Sequence, residues 1–296
     1  MFLTFLRHLF ENLALQLVFF VGIISVLGLI IWRLNKTFFR ILGWKKAKRV
    51  VLATGIIGVP IHEFGHVFFC IIFFHKIKEV KWFMPNSTDG TLGYVRHTFK
   101  KKNPYQQIGN FFIGIGPLLF GSGAIVLLMF LFFLLIPGAS MNNLGGSTSA
   151  AQYWHSVWDV FLTVFRPGNL VNGWWWIFIV LASSIAMHMD LSWADIKGGL
   201  RGLMFISIIL FVMNIILVLI HRSAAKAVTN AFMWLSVSVV SFMAIAILIL
   251  LFLVLVSLVA TLIKRGIKRK LSKGKKPKEK PVLAPAGEPE TAVAEA

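Results

Sequence analysis

Three ionisable side chains lie within five residues of one another in an otherwise apolar segment, residues 55–74. His62, Glu63 and His66 follow the pattern H-E-x-x-H. Because positions i and i+4 share one face of a helix, both imidazoles can reach one cation. Glu63 points to the flank of that face, where its carboxylate can hold a water and take its proton. Zinc suits this arrangement, since it accepts imidazole nitrogen, leaves a position open and lowers the pKa of its water to ~7.

A second interpretation is a pair of polar side chains that face the interior of a helix bundle and bond to their neighbours. Ionisable groups are expensive in hydrocarbon, and inside an apolar span they are functional by default. We therefore prefer metal binding by His62 and His66, with Glu63 as the catalytic group.

A third protein ligand has to be an aspartate or a histidine, because no glutamate occurs between residues 79 and 279. The end of the fourth apolar segment offers Asp195, with Asp190 in reserve and His188 as a weaker choice or a supporting group. Asp195 also stands three residues after Ser192, as in a helix cap of the S-x-x-D type. We prefer the ligand role for Asp195.

Other aspartates and histidines suit the third position less well. Those in the loop that is expected outside the cell lie on the wrong side of the membrane, and Asp89 lies in a predicted turn. Histidines in basic connections are expected to be solvated rather than ligating. The outer pair is His155 and Asp159, and the basic connections hold His75, His97 and His221.

The composition indicates a multispanning membrane protein. Of 296 residues, 57% are hydrophobic, and the mean hydropathy is +0.80. The net charge of +19 does not indicate nucleic-acid binding, because the basic residues cluster between apolar runs and in the tail. That distribution is expected of topology signals and of contacts with anionic lipid headgroups. The single cysteine, Cys70, excludes an intramolecular disulfide and a cysteine-based metal cage.

Apolar runs predict an all-α polytopic protein, since a spanning helix needs about 20 apolar residues. A small membrane-associated β-hairpin is expected after the HExxH helix, at about residues 77–99, where β-branched and aromatic residues flank the turn sequence PNSTDG. We predict about six spans, at residues 13–32, 51–74, 108–136, 170–189, 203–220 and 231–263.

Charge in the connections sets the expected orientation. The basic run 264–280 places the C-terminus in the cytoplasm, and the loops at 75–107 and 137–169 agree with the positive-inside rule. The basic loop 33–49 does not agree, so either the first segment is not a simple span or this loop lies along the membrane surface. The predicted organisation has four parts: a span with a basic loop (1–49), a core (50–200), two further spans (201–263) and a basic tail whose end is disordered (264–296).

These motifs resemble the site-2 protease family of intramembrane zinc metalloproteases. HEFGH (62–66) is similar to the family's H-E-x-G-H, IGIGPLLFG (113–121) to the start of its next core helix, and LSWADIKGG (191–199) to its distal Leu-Asp-Gly segment. On that segment the ligand aspartate falls on Asp195. The chain departs from the family in lacking an Asn and a Pro before this aspartate. The resemblance covers residues 50–200.

The resemblance implies a zinc-dependent endopeptidase that cleaves membrane-embedded or membrane-anchored protein segments. It would lie in a cell membrane, which we expect to be bacterial. Two alternatives belong to other classes: a transporter of zinc or another divalent metal, and an inactive membrane protein of the same fold that binds partners without cutting them. Against a transporter, the sequence offers no second cluster of His, Glu or Asp within another span.

Overall fold

The computed structural model describes residues 2–135, 162 and 164–273. They are mostly helical, with one small sheet. The helices are α1 (Phe2–Leu17), α2 (Ile23–Leu42), α3 (Trp44–Ile72), α4 (Pro104–Leu135), α5 (Gly173–Ala186), α6 (Trp193–Ile220) and α7 (Arg222–Lys273). A π-helical turn, Val18–Gly22, joins α1 to α2, and a 3₁₀ turn, Pro167–Val171, precedes α5. The strands are β1 (Lys76–Lys81) and β2 (Tyr94–Thr98).

Within these residues, five helical stretches are long and apolar enough to cross a membrane: Leu3–Leu42, Trp44–Ile72, Pro104–Phe132, Trp193–Ile220 and Ser223–Ile267. The predicted fourth span is the shorter helix α5, whose 14 residues extend about 21 Å. That is less than the ~30 Å of a bilayer's hydrocarbon. A mostly helical chain whose long apolar helices fit a membrane protein is therefore confirmed, and the number of spans stays a prediction.

The basic stretch at 33–49, expected to be a loop, is helical. Its first ten residues belong to the last turns of α2, and α3 begins at Trp44. The chain turns between them at Gly43, whose φ of +76° is a backbone conformation that favours glycine. The predicted basic tail also begins as helix, since α7 continues to Lys273.

The predicted hairpin is confirmed as a two-stranded antiparallel sheet. Ile77 lies opposite His97 and Lys81 opposite Tyr94, with a register shift between Ile77 and Glu79. In the turn, the Asp89 carboxylate accepts hydrogen bonds from the backbone N–H of Thr91 and from the Ser87 hydroxyl. This exposed turn therefore supports the hairpin by Asx-type bonding.

Contacts divide the chain into two units, residues 1–257 and residues 258–296. In the first unit, α4 packs along both α3 and α6, and α5 packs against α3 and α4. Its largest apolar core joins side chains of α2, α4, α5 and α7, among them Ile31, Ile125, Trp175 and Met243. In the second unit, the described residues are the last helical turns of α7.

Candidate metal centre

The HExxH segment lies in the second half of α3. Pro60 precedes it inside the helix, so one backbone hydrogen bond is missing just before the motif. The rings of His62 and His66 meet edge to face, with their centres 5.1 Å apart. Glu63 is only 5% exposed. Both imidazoles therefore share one face of α3, as their i, i+4 spacing predicts.

Glycines allow the three helices of the site to approach closely. A Cβ on Gly65 of α3 would lie 2.7 Å from the backbone carbonyl of Gly116 in α4. A Cβ on Gly114 would lie 2.5 Å from the backbone oxygen of Asp195 in α6. Small residues at such crossings let membrane helices pack backbone against backbone. The IGIGP segment thus brings the beginning of α6 next to the imidazoles of α3.

Asp195 both caps α6 and faces the imidazoles. Its Oδ2 accepts a hydrogen bond from the Ser192 N–H at 2.8 Å, and its own N–H donates to the Ser192 hydroxyl at 3.2 Å. Its Oδ1 lies 3.4 Å from Nε2 of His66. The ligand and cap interpretations of Asp195 are therefore compatible, because each uses a different carboxylate oxygen.

Backbone carbonyls orient both imidazoles. Nδ1–H of His62 donates to the carbonyl of His188 at 2.7 Å, and Nδ1–H of His66 donates to the carbonyl of Ile113 at 2.8 Å. A carbonyl can only accept, so each ring keeps its lone pair on Nε2. Metal-ligating histidines are commonly held in this way by the second ring nitrogen. His188 therefore supports His62 through its backbone carbonyl and not through its side chain.

The donor atoms of His62, His66 and Asp195 fit one zinc ion. One ligand atom from each side chain lies within 4.8 Å of the others. Two donors bound 2.0–2.2 Å from a tetrahedral ion are about 3.3 Å apart, which is close to the 3.4 Å between His66 and Asp195. Two imidazole nitrogens and one carboxylate also leave a fourth position open, as catalytic zinc sites require.

A cavity of about 240 Å³ opens on these three side chains. Glu63 lines it beside His62 and His66, and the buried Asn110 adds a polar group from α4. Gly93, just before β2, lies close to the Glu63 side chain, since a Cβ at this position would be 2.8 Å from Oε1 of Glu63. The cavity therefore has room for water next to the carboxylate of Glu63.

The structure places the other candidate ligands elsewhere. Asp190 accepts a hydrogen bond from Nδ2 of Asn35 at 2.8 Å and is not in the cluster with His62 and His66. The His188 ring lies 3.0 Å from the hydroxyl of Thr54. Asp89 is exposed in the hairpin turn. His155 and Asp159 lie outside the described residues.

The expectation that the histidines of the basic connections are solvated holds for His221, which is exposed, and is wrong for His75. His75 is only 5% exposed, because the chain turns back at the end of α3 and packs its ring under α4. His97 is half-buried and lines the cavity. Together with Cys70 these two form a second group of possible metal ligands. This group was not predicted from the sequence: Cys70 and His75 are close in sequence, with four residues between them, but His97 joins them only through strand pairing.

Comparison of the chain with protein-family models, with curated proteins and with solved structures finds no match in any of the three.

Proposed function

We propose that this protein is an intramembrane zinc-dependent endopeptidase that cleaves membrane-embedded or membrane-anchored protein segments. The observation that carries the proposal is the meeting of His62, His66 and Asp195 around one point, beside a buried Glu63. Helices α3 and α6 supply these groups, and α4 and the turn after α5 supply the carbonyls that orient the imidazoles. The resemblance to the site-2 protease family supports the same conclusion.

His62, His66 and Asp195 would hold the ion in this mechanism. Zinc, when bound, polarises the scissile carbonyl and acidifies a water molecule. Glu63 is the general base that takes the proton from that water, and it then returns the proton to the leaving amine. The Asn110 amide offers a further hydrogen-bonding group in the cavity.

The hairpin supports the binding of an extended substrate. Tyr94, Val95 and His97 of β2 line the cavity, and the described sheet has only two strands. A substrate segment that is unwound from its helix can pair with a free strand edge through its backbone. Unwinding is needed because the carbonyls of a helical peptide are already hydrogen-bonded.

The apolar helices support a location in a cell membrane, and we infer six spans, with α5 completed by neighbouring residues. The basic run that follows the last span supports a cytoplasmic C-terminus and contacts with anionic headgroups. In this orientation α3 runs inward, and the zinc lies toward the cytoplasmic side.

The decisive experiment replaces Glu63 by glutamine. Purified full-length protein is reconstituted in liposomes with a panel of single-span test substrates, and cleavage is followed on gels while zinc is measured by mass spectrometry. We expect Glu63→Gln to retain the zinc content of the wild type and to lose cleavage. Glu11→Gln, the same change at an exposed glutamate in α1, should cleave normally. Full turnover by Glu63→Gln would refute the mechanism, and so would a zinc-loaded wild type that cleaves none of the substrates.

A transporter of zinc or another divalent metal is the second candidate, because the structure contains the second ligand group of Cys70, His75 and His97. His97 lines the same cavity as the first group, so two ion sites would be neighbours. Uptake of zinc into sealed vesicles separates the two functions. Uptake that persists in Glu63→Gln and is lost in His75→Ala would favour transport. An inactive binding protein would show neither uptake nor cleavage.

A further inference from the structure

A second group of possible metal ligands lies beside the proposed catalytic ligands. Ligand atoms of Cys70, His75 and His97 all lie within 4.8 Å of one another. One thiolate with two imidazoles is a donor set that zinc accepts. We propose that Cys70, His75 and His97 bind a second zinc ion, which tethers the β-hairpin to the end of α3.

The backbone at the end of α3 is shaped to bring two of these residues together. Phe74 has a φ of +53°, and among the described residues it is the only non-glycine residue with a positive φ. Its left-handed conformation lets the N–H of His75 donate to the carbonyl of Cys70 at 2.8 Å. This is the six-to-one bond of a Schellman helix end, which usually has glycine at the left-handed position. Strained conformations of this kind are concentrated at functional sites.

Neighbouring groups turn the correct nitrogen of His75 toward the other ligands. Nε2–H of His75 donates to the carbonyl of Gln106 at 2.8 Å, so the lone pair is on Nδ1. The ring stacks on Phe99 at 4.9 Å. Helix α4 has room for this ring because residue 109 is glycine, where a Cβ would lie 3.0 Å from Nε2 of His75. The hydrogen bond at Nε2 thus orients the ring so that Nδ1 is available, as is usual for a metal-ligating histidine.

The hairpin supplies the third ligand. Strand pairing sets His97 opposite Ile77, and its Nδ1 lies 3.0 Å from Nδ1 of His75. Two nitrogens that share a tetrahedral zinc are about 3.3 Å apart, so the pair needs to separate by only a few tenths of an ångström.

A tether at this point would hold the hairpin over the catalytic cavity. His97 belongs to the strand whose residues Tyr94 and Val95 line that cavity. Cys70 lies one helical turn beyond His66 on α3. The second ion would therefore fix the position of β2 relative to the proposed catalytic ligands. Binding releases the thiol proton of Cys70 to solvent.

Cobalt spectroscopy tests this proposal on full-length protein in detergent, without thiol reductants. Cys70 is the only cysteine of the chain, so a thiolate-to-cobalt charge-transfer band in the near ultraviolet reports on this site alone. We expect the band in the wild type and its loss in Cys70→Ser, with zinc content falling from about two ions per chain to about one. The double substitution of His62 and His66 by alanine should keep the band. The result is thus independent of the catalytic site.

A second variant is needed because Cys70→Ser could lose the band by misfolding. We choose His97→Gln, since His97 is partially exposed and its substitution disturbs the core less. This variant keeps the thiol, and we expect its affinity for cobalt at the site to fall at least tenfold. The matched control is His221→Gln, at an exposed histidine, which should bind as the wild type does. A wild type without the band overturns the proposal, because the pair is then only a hydrogen bond between two imidazoles. A band that His97→Gln leaves unchanged also overturns it.

Discussion

Replacement of Gly114 by alanine tests whether close packing of α4 on α6 positions the third ligand. The added Cβ would lie 2.5 Å from the backbone oxygen of Asp195 and 3.2 Å from the backbone of Gly199. Each of these neighbours is backbone, which cannot rotate away as a side chain can. Ordinary van der Waals contacts of a Cβ begin near 3.4 Å. The two helices must therefore separate by about 0.9 Å at this point, against a tolerance of about 0.2 Å in zinc–ligand distances.

We expect the affinity of the proposed catalytic site for zinc to fall about 10- to 100-fold, the usual effect of losing the groups that orient metal ligands. That range corresponds to about 1.4–2.7 kcal/mol at 25 °C. The assay is competition with a chromogenic zinc chelator in detergent. It is done in the Cys70→Ser background, so that the second ligand group does not contribute to the measured affinity.

Gly123→Ala is the matched control, since Gly123 lies in the same helix and its added Cβ would meet nothing within 4 Å. Both substitutions replace a helical glycine by alanine, whose intrinsic helix propensity is more favourable by about 1 kcal/mol in water. The difference between the two variants therefore reports the clash with α6. Equal zinc affinity for Gly114→Ala and Gly123→Ala would show that α6 does not supply a ligand through this crossing.

Three further predictions concern single side chains around the cavity. Asp195→Ala should lower zinc occupancy, measured by mass spectrometry, by more than Asp190→Ala does. Asp195 faces His66, whereas Asp190 accepts a hydrogen bond from Asn35. The reverse order would overturn the choice of third ligand. Ser192→Ala should lower the free energy of unfolding, measured by calorimetry, by about 1 kcal/mol because the helix cap is lost. Metal analysis should show a smaller loss of zinc than in Asp195→Ala, and an equal loss would contradict the separate cap and ligand roles. Gly93→Ala should lower kcat with zinc content unchanged, since its Cβ would lie 2.8 Å from Oε1 of Glu63, with Val59 at 2.7 Å and the backbone oxygen of Lys81 at 2.9 Å. An unchanged kcat in the liposome assay would show that catalysis does not depend on this contact of Glu63.

The apolar helices, the hairpin and the face that His62 and His66 share on α3 could be predicted because each depends on local pattern. A long apolar run has to be helical in hydrocarbon, where every backbone group needs an internal partner. The spacing of His62 and His66 fixes their shared face in any helix. The turn sequence between β1 and β2 likewise acts within a few residues.

Helix ends and loops were harder to predict. The stretch 33–49 carries many basic residues, as a connection would, yet it is helical apart from the break at Gly43. The short α5 could not be separated from a full span by composition alone, because Leu170, Val171, Met187 and Met189 add apolar residues on its two sides. Charge and hydropathy report where a segment can lie, and hydrogen bonding decides where a helix ends.

By itself, the sequence determined that an HExxH pair lies within an apolar helix and that an aspartate near residue 195 is available to it. Only the tertiary structure decided that Gly65 and Gly114 let α3, α4 and α6 meet, so that Asp195 faces His66 with one oxygen and caps α6 with the other. Only the tertiary structure joined Cys70 and His75 to His97, across a strand pairing. The reason is physical: spacing along a helix sets one face, whereas contacts between elements depend on the fit of whole surfaces.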